Sequence, residues 1–136
     1  MHNIQSPRSD DSAIEQEIVA KGLTAPRVTP GDIEANIVGE HYFTAAEGFA
    51  GAAFIRVMDD QSGIINAHDA APPPMALGLL TFCVPVLRNG FTVTGESACA
   101  SPENFDAELG KKIARANAVN KIWPLMGYEL RSKLSA

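Results

Sequence analysis

The clearest pattern of hydrophobic and polar positions lies in residues 80–134, where it changes from the two-residue period of strands to the period of a helix. Thr81–Leu87 is rich in β-branched and aromatic residues, which predicts a strand. Asn89-Gly90 is a dipeptide typical of a type I′ hairpin turn, so Phe91–Ser97 should return as the paired strand. This segment therefore predicts a β-hairpin.

Pairing across a two-residue turn places Arg88 opposite Phe91, Leu87 opposite Thr92 and Val86 opposite a valine. One face should then be apolar and carry Phe82, Val84, Val86, Phe91 and Val93. Pro85 has no N–H for the ladder, which predicts an edge strand or a bulge at that point. An exposed edge is a natural place for a second copy to pair.

A long amphipathic helix should follow the hairpin. Ser101 and Pro102 predict its start, and Trp123-Pro124 predicts its end. Glu108 and Lys112 are spaced for an ion pair one turn apart. One arc should pack on the apolar face of the hairpin; it contains Phe105, Leu109, Ile113, Ala116 and Trp123.

Upstream, a short helix should run from Asp11 to about Gly22. A second should start at Thr29, with Pro30 in its first turn and Asp32 three residues after the cap. Its helical spacing continues through Ile33, Ile37, His41 and Tyr42, which predicts that His41 is a packed core residue and not a metal ligand. Residues 49–58 fit a strand or a helix end, and residues 59–74 predict an exposed loop.

These elements predict an α+β fold: a small antiparallel β-sheet, with its hairpin at Asn89-Gly90, packed against a long C-terminal helix and preceded by N-terminal helices. A chain of 136 residues with 46% apolar content fits one domain. We expect a tail and short helix over residues 1–26, and a single domain over 27–136 with a loop at about 59–75.

The charge is unevenly distributed. Residues up to Leu80 hold four Lys/Arg against eleven Asp/Glu, and residues from Thr81 onward hold seven against five, for a net charge of −5. Such a balance argues against DNA as a partner but leaves room for a small anionic ligand. Without a secretory signal or a long apolar stretch, a cytoplasmic location and no membrane contact are expected. Cys83 and Cys99 should be buried thiols.

The predicted hairpin and helix together hold groups that suit a nucleotide: an aromatic ring, hydroxyls, amides, and two cations four residues apart. Bases stack on aromatic faces, and guanidinium groups bind phosphate oxygens in pairs. Each group also has a structural use, since Phe91 fits a core, Asn89 a turn and Ser101 a cap. No catalytic, phosphate-loop, dinucleotide or metal motif is present, so we expect a binding protein without enzymatic activity, cofactor or metal.

Several stretches resemble a family of small proteins from tailed phages and prophages. The resemblance covers about residues 27–43 and 80–134; its main stretches are Asn89–Cys99, Ser101–Asp106, Gly110–Arg115 and Lys121–Leu125. A further resemblance is to the Thoeris anti-defence sponge proteins of phages, which have a small β-sheet followed by C-terminal helices and assemble as homo-oligomers. Those proteins sequester cyclic ADP-ribose isomers, and some also hold cyclic oligonucleotides, without cleaving them.

The second resemblance implies a ligand site. Phe91 matches the aromatic residue that stacks on the base, and Lys111 with Arg115 matches a pair of arginines on a helix. Lys111 departs from that pattern, because an ammonium lacks the planar two-donor fork of arginine. Asn104 is a candidate amide contact. Arg88 and Thr92, which flank the turn, complete the set.

The hypothesis is a phage-encoded sponge: a homo-oligomer, either a dimer or an assembly of dimers, that sequesters a cyclic nucleotide immune signal in the cytoplasm of an infected or lysogenic bacterium. The alternative is a protein-interaction module that inhibits a host factor or joins a phage assembly. A third interpretation, a minor nucleic-acid binder, would require strongly salt-dependent affinity.

Overall fold

The computed structural model describes residues 10–136. A three-stranded antiparallel sheet of order β1-β2-β3 packs against one long C-terminal helix, and the predicted α+β class is confirmed. In chain order the elements are α1 (Asp11–Ala20), α2 (Pro30–Asn36), β1 (Ile37–Thr44), α3 (Ala45–Asp59), α4 (Ala67–Ala70), β2 (Leu80–Leu87), β3 (Gly95–Ala98) and α5 (Ala107–Leu134). Short 3₁₀ turns, Met75–Leu79 and Pro102–Asn104, precede β2 and α5. No helix within residues 10–136 is long and apolar enough to cross a membrane.

The core lies between the sheet and α5, and three of the four buried residues of α5 are small. The buried positions of α5 recur every fourth residue: Gly110, Ala114, Ala118 and Ile122. This stripe differs from the predicted arc, in which Leu109 is in fact exposed. The arc was chosen by side-chain size, whereas at Ala114 and Ala118 the helix lies so close to the sheet that only small residues fit between them.

Gly95 in β3 marks the closest approach of the sheet to α5. A Cβ atom built on Gly95 would lie 2.0 Å from the carbonyl oxygen of Ala114 and 2.3 Å from the amide nitrogen of Ala118. No side chain fits at that separation, so the backbone of β3 lies directly against the helix. Gly110 of α5 likewise allows close contact with the sheet, because an added Cβ would lie 3.1 Å from Oγ1 of Thr81.

The turn between β2 and β3 differs from the predicted type I′ turn. Gly90 N–H donates to the carbonyl of Leu87 (2.8 Å), and Leu87 N–H donates to the carbonyl of Phe91 (2.8 Å), which makes a three-residue loop. A type I′ turn needs positive φ at both central residues. Gly90 has a φ of 88°, but Asn89 has a negative one, so a type I turn followed by a left-handed glycine forms instead.

The extra loop residue changes the pairing. Val86 lies opposite Thr92 and not Val93, and the other two predicted pairs, Leu87 with Thr92 and Arg88 with Phe91, are wrong. The predicted apolar face is also wrong for β2, because Phe82, Val84 and Val86 lie on its outer side. The side of the hairpin that faces α5 carries Thr81, Cys83, Pro85 and Leu87, with Val93, Gly95 and Ser97.

Pro85 lies in the central strand and not at an edge, which corrects that prediction. Its carbonyl accepts from Val93 N–H (3.3 Å), so its missing N–H also faces β3. The ladder between β2 and β3 is interrupted at this point, because β3 begins only at Gly95. The missing donor therefore coincides with a gap in pairing. The bulge lies in β1 instead, between Ile37 and Gly39.

Both predicted ends of α5 are wrong. Ser101 makes no side-chain cap, whereas Asp106 accepts from Leu109 N–H (3.1 Å), so the helix begins at Ala107. At the other end, the helix continues through Pro124 to Leu134. Proline removes one backbone hydrogen bond at a cost of about 3 kcal/mol. Packing of the apolar side chains on both sides of Pro124 against the core holds the helix together.

The N-terminal half confirms the two predicted helix starts. Thr29 Oγ1 accepts from Asp32 N–H (3.1 Å), and an Asp32 carboxylate oxygen accepts from Thr29 N–H (2.9 Å). The predicted continuation of α2 to Tyr42 is wrong, because the β-branched Ile37 begins β1, which pairs along β2. His41 is consequently exposed on a strand and is not a core residue.

Residues 45–59 form the helix α3, which settles the open choice between strand and helix there, while the predicted loop contains only the four-residue α4. Cys83 and Cys99 are buried thiols, as predicted. Burial raises the pKa of the Cys83 thiol above its ordinary value. This cysteine is therefore an apolar core residue and not a reactive nucleophile.

Candidate functional site

Three of the proposed contact residues lie together at the tip of the hairpin. Arg88 occupies the loop, and Phe91 and Thr92 follow it with exposed side chains. The side-chain oxygen of Asn89 accepts from Phe91 N–H (2.9 Å), which fixes the chain direction just before the ring. Phe91 leaves 57% of its surface exposed, so the loop presents its ring and does not bury it.

The hairpin tip is attached to α2. Arg88 N–H donates to the carbonyl of Asn36 (2.9 Å), and the guanidinium Nη2 of Arg88 donates to the carbonyl of Ala35 (2.7 Å). A guanidinium has five N–H donors, so a contact with one carbonyl leaves others for a ligand. Arg88 is thus held in position by the end of α2 while part of its charge faces outward.

Two adjoining cavities run along the hairpin tip, between α2 and the C-terminal half of α5. One has a volume of about 570 Å³ and includes Arg88 and Lys133 in its lining, and the other has a volume of about 210 Å³ and includes Phe91. They share Asn36, Asn89, Met126 and Glu129. We call this combined depression the hairpin groove. Its volume falls in the range of about 300 to 1,000 Å³ found for small-molecule sites.

The hairpin groove contains charges of both signs. Arg88 and Lys133 supply two cations, and Asp32 and Glu129 supply two carboxylates. Lys133 Nζ lies 3.6 Å from a carboxylate oxygen of Glu129, and both side chains are mainly exposed. Exposed pairs of this kind contribute little, about 0 to 1 kcal/mol, so Lys133 can exchange Glu129 for an anionic ligand at small cost.

Arg115 lies elsewhere and already binds two carboxylates. Its Nε donates to Glu40 (2.7 Å), while Nη2 and Nη1 donate to the two oxygens of Glu34 (2.7 and 3.2 Å). The Arg115 contact lowers the pKa of Glu40 below its ordinary value, and Glu40 also accepts from the hydroxyl of Tyr42 (3.1 Å). Burial raises the pKa of that tyrosine. Arg115 therefore joins α5 to α2 and β1.

Lys111 and Asn104 lie at the opposite end of the sheet. Lys111 lines a separate cleft of about 310 Å³ together with Tyr42, Phe43, Thr81 and Phe105. Its ammonium is 3.7 Å from Glu108, which takes the place of the pair predicted between Glu108 and Lys112. Asn104 is exposed in the turn just before Phe105.

The structure therefore separates the six predicted residues. Thr81 beside the Lys111 cleft and Leu87 beside the hairpin groove are six positions apart on β2, or about 20 Å at the usual rise of a strand. A single nucleotide-sized ligand cannot touch both ends of one chain. Phe91, Arg88 and Thr92 form one group, Lys111 and Asn104 form another, and Arg115 lies in the ion-pair network with Glu34 and Glu40.

Two groove residues, Asn36 and Lys133, were not anticipated. They lie 52 and 45 positions from Arg88 along the chain, so no local spacing connects them to the hairpin. The only available signal was Arg131 and Lys133 close to the C-terminal end of a helix, where cations are favourable. It could not be used, because the predicted helix ended ten residues before the observed end at Leu134 and therefore excluded both cations.

The fold and the hairpin groove define a small α+β protein with a cavity between its sheet tip and its helices. A model of the phage protein family described as the N4 Gp49/phage Sf6 gene 66 family matches residues 28–134, and the chain belongs to that family. The predicted resemblance to a phage protein family is thereby confirmed. Comparisons with curated proteins and with solved structures gave no match.

Proposed function

We propose that this phage protein is a sponge, a non-catalytic binder that sequesters a cyclic nucleotide immune signal in the cytoplasm of the infected or lysogenic host. The ligand class is a cyclic ADP-ribose isomer or a cyclic oligonucleotide, and the protein acts as a homo-oligomer. The hairpin groove is the proposed binding site. Membership of a phage protein family supports an infected or lysogenic bacterium as the setting in which the protein acts.

One observation carries the proposal: an exposed aromatic ring and a positioned guanidinium flank the same turn. Phe91 offers a face on which a base can stack, and Arg88 offers donors for phosphate oxygens. Asn36 and Asn89 add amide groups to the same cavities. A ligand with flat bases and anionic linkages matches this combination better than a purely apolar ligand does.

A sponge must bind tightly, because it removes a signal only when its sites outnumber the signal molecules and hold them. Nanomolar affinity corresponds to about −12 kcal/mol. Stacking on one ring supplies about 1 to 3 kcal/mol per base, so several groups must act together. Within the groove these are Phe91, Arg88, Lys133 and the two amides.

Arg115 is not a phosphate contact in this proposal, although its spacing from Lys111 implied one. A phosphate at Arg115 would have to displace Glu34 and Glu40, which already hold its guanidinium. We therefore assign the first phosphate contact to Arg88. Lys111 and Asn104 remain candidate contacts for a ligand held between copies, because the cleft that Lys111 lines is at the other end of the sheet.

The test is calorimetric titration of Phe91→Ala and Arg88→Gln with the nucleotide that gives the largest thermal shift. Each change should weaken binding by about 1 to 3 kcal/mol, or roughly 5- to 150-fold. Tyr128→Ala is the control, since Tyr128 is also an exposed aromatic residue (78%) but lines neither cavity of the groove. Unchanged affinity in folded Phe91→Ala protein would remove the groove from the proposal.

The alternative, a protein-interaction module, is favoured by one observation. Large apolar side chains are exposed on α3 and the loop after it, and exposed apolar patches mark interaction sites. The two functions separate in one experiment. A sponge gains thermal stability from a nucleotide without a protein partner, whereas an interaction module is indifferent to nucleotides and copurifies with a host or phage protein.

A further inference from the structure

Helix α3 has two apolar faces, and only one of them packs inside the chain. Phe49, Ala53 and Val57, spaced four residues apart, face inward. On the opposite side of the helix lie Gly51, Phe54, Ile55 and Met58, all exposed. Between Phe49 and Met58, Arg56 is the one charged residue of α3, and a helix face that is apolar is normally covered. We call these four residues the outer face of α3.

The outer face continues onto the neighbouring loop. Ile65 shares a cavity with Phe54, and the 3₁₀ turn that begins at Met75 packs beside α3. Six large apolar side chains are involved, each between 58 and 82% exposed: Phe54, Ile55, Met58, Ile64, Ile65 and Met75. At roughly 150 to 200 Å² for each such residue, they present on the order of 600 to 800 Å². Stable protein interfaces bury about 800 Å² per partner, so this area is of the size that a dimer needs.

We propose that a second copy of this chain covers the outer face, with the two α3 helices packed antiparallel about a two-fold axis. In this arrangement Gly51 of one copy faces Met58 of the other, and Phe54 faces Ile55 close to the axis. A symmetric dimer needs a surface that complements itself. The pattern of glycine, two central apolar residues and methionine meets that need, because the gap at Gly51 receives the long side chain of Met58.

Two further points are compatible with an antiparallel pair of α3 helices. An antiparallel helix pair places the positive end of one helix dipole beside the negative end of the other. The basic residue of α3, Arg56, is directed away from the outer face, because it binds Asp69 (2.8 Å). No charged side chain therefore needs to be desolvated between Gly51 and Met58. The proposal rests on the homo-oligomer of the proposed function and specifies its interface. It requires no nucleotide, so dimerisation and nucleotide binding are measured separately.

Gly51 allows a test that does not disturb the isolated chain. No atom beyond the helix's own backbone lies within 4 Å of a Cβ built at Gly51, so a side chain there begins in open space in the monomer. In the proposed dimer, Gly51→Met would clash with Met58 of the second copy. Met58→Ala would remove that side chain instead. The double variant Gly51→Met with Met58→Ala exchanges the large and small positions and should recover pairing. Gly127→Met is the matched control, because Gly127 is also a helical glycine with open space around it.

The measurement is sedimentation equilibrium of the purified full chain and each variant, without nucleotide, over a range of concentrations. The wild type and Gly127→Met should dimerise alike. Gly51→Met should raise the dimer dissociation constant on the order of a hundredfold, and the double variant should recover at least tenfold of that loss. The proposal would be overturned by a monomeric wild type, by a Gly51→Met variant that dimerises normally, or by a double variant that dimerises no better than Gly51→Met. It would also be overturned by a monomer that binds a different protein through Phe54 and Met58.

Discussion

Replacement of Gly95 by alanine should destabilise the protein strongly, because the backbone of α5 occupies the space that a side chain would need. The added Cβ would lie 2.0 Å from the carbonyl oxygen of Ala114 and 2.8 Å from the Cβ of Ala118. Both the oxygen and the strand belong to regular elements, so relief requires α5 and β3 to separate by roughly 1 Å or more. Gly95 has no positive φ, and the effect is therefore steric and not conformational.

The expected loss of stability depends on whether a flexible side chain or a whole helix must move to relieve the clash. Overpacked cores lose about 1 to 3 kcal/mol when flexible side chains can adjust, and more when they cannot. Here a helix must move as a unit, and we expect a loss of about 3 kcal/mol. For a chain of this length that loss lowers Tm by roughly 10 to 15 °C. It is a large part of a total stability of about 5 to 15 kcal/mol.

The assay is urea unfolding followed by circular dichroism, with Gly127→Ala as the control. Gly127 lies in the same helix with open space around it, so alanine there should gain about 0.5 to 1 kcal/mol from helix propensity. A free energy of unfolding for Gly95→Ala within about 0.5 kcal/mol of the wild-type value would refute the close packing of β3 on α5.

Three other predictions concern the contacts that join the elements. Arg115→Ala should lower the free energy of unfolding in urea by about 1.5 to 3 kcal/mol, the range for hydrogen bonds to charged groups, because it releases Glu34 and Glu40 together. A loss below about 0.5 kcal/mol would mean that the ion pairs do not hold α5 in place. Because the pKa of Glu40 is lowered in the folded state, its ionised carboxylate stabilises the fold at pH values above its ordinary pKa of 4.5, and this stability should be lost as pH drops below 4.5. Glu40→Gln should flatten this pH dependence of unfolding, and an identical pH profile in the variant would contradict the role given to Glu40. Asp106→Ala should cost about 1 kcal/mol by removing the cap on Leu109 N–H, with Asp106→Asn as a control that keeps an acceptor; equal losses in both variants would argue against capping.

Local signals in the sequence were sufficient for the elements they define. The capping sequence at Thr29 predicted the start of α2 correctly, and the pattern before Asn89 predicted β2. A comparable signal was overlooked at Thr44, whose Oγ1 accepts from Glu47 N–H (3.2 Å) while Glu47 accepts from Thr44 N–H (2.9 Å). That reciprocal cap would have identified the start of α3.

Other features depend on contacts that no local pattern contains. Ile37 fits a helix by its spacing, and only the presence of β2 as a partner makes it the start of a strand. The close approach at Gly95 selects the small Ala114 and Ala118 for the core, so a search for large apolar residues found the wrong arc of α5. The position of Gly90 in the turn decided the hairpin register.

The candidate site shows the same division. The sequence alone placed Arg88 and Phe91 on one hairpin, and they do line one groove. It could not show that Arg115 is held by Glu34 and Glu40, because these carboxylates lie 81 and 75 positions away along the chain. A cation identified by helical spacing alone cannot be distinguished from one already paired in the fold.

The measurement that tests the central claim most directly is a capture-and-release assay on the purified protein with cyclic ADP-ribose isomers and cyclic di- and trinucleotides. Each nucleotide is incubated with excess protein, the protein is removed by filtration and then heated, and both fractions are analysed by chromatography. The account predicts that one nucleotide disappears from the filtrate and is recovered intact from the heated protein in stoichiometric amount. Full recovery of every nucleotide in the filtrate, or recovery of a cleaved product, would contradict the claim that this protein is a sponge.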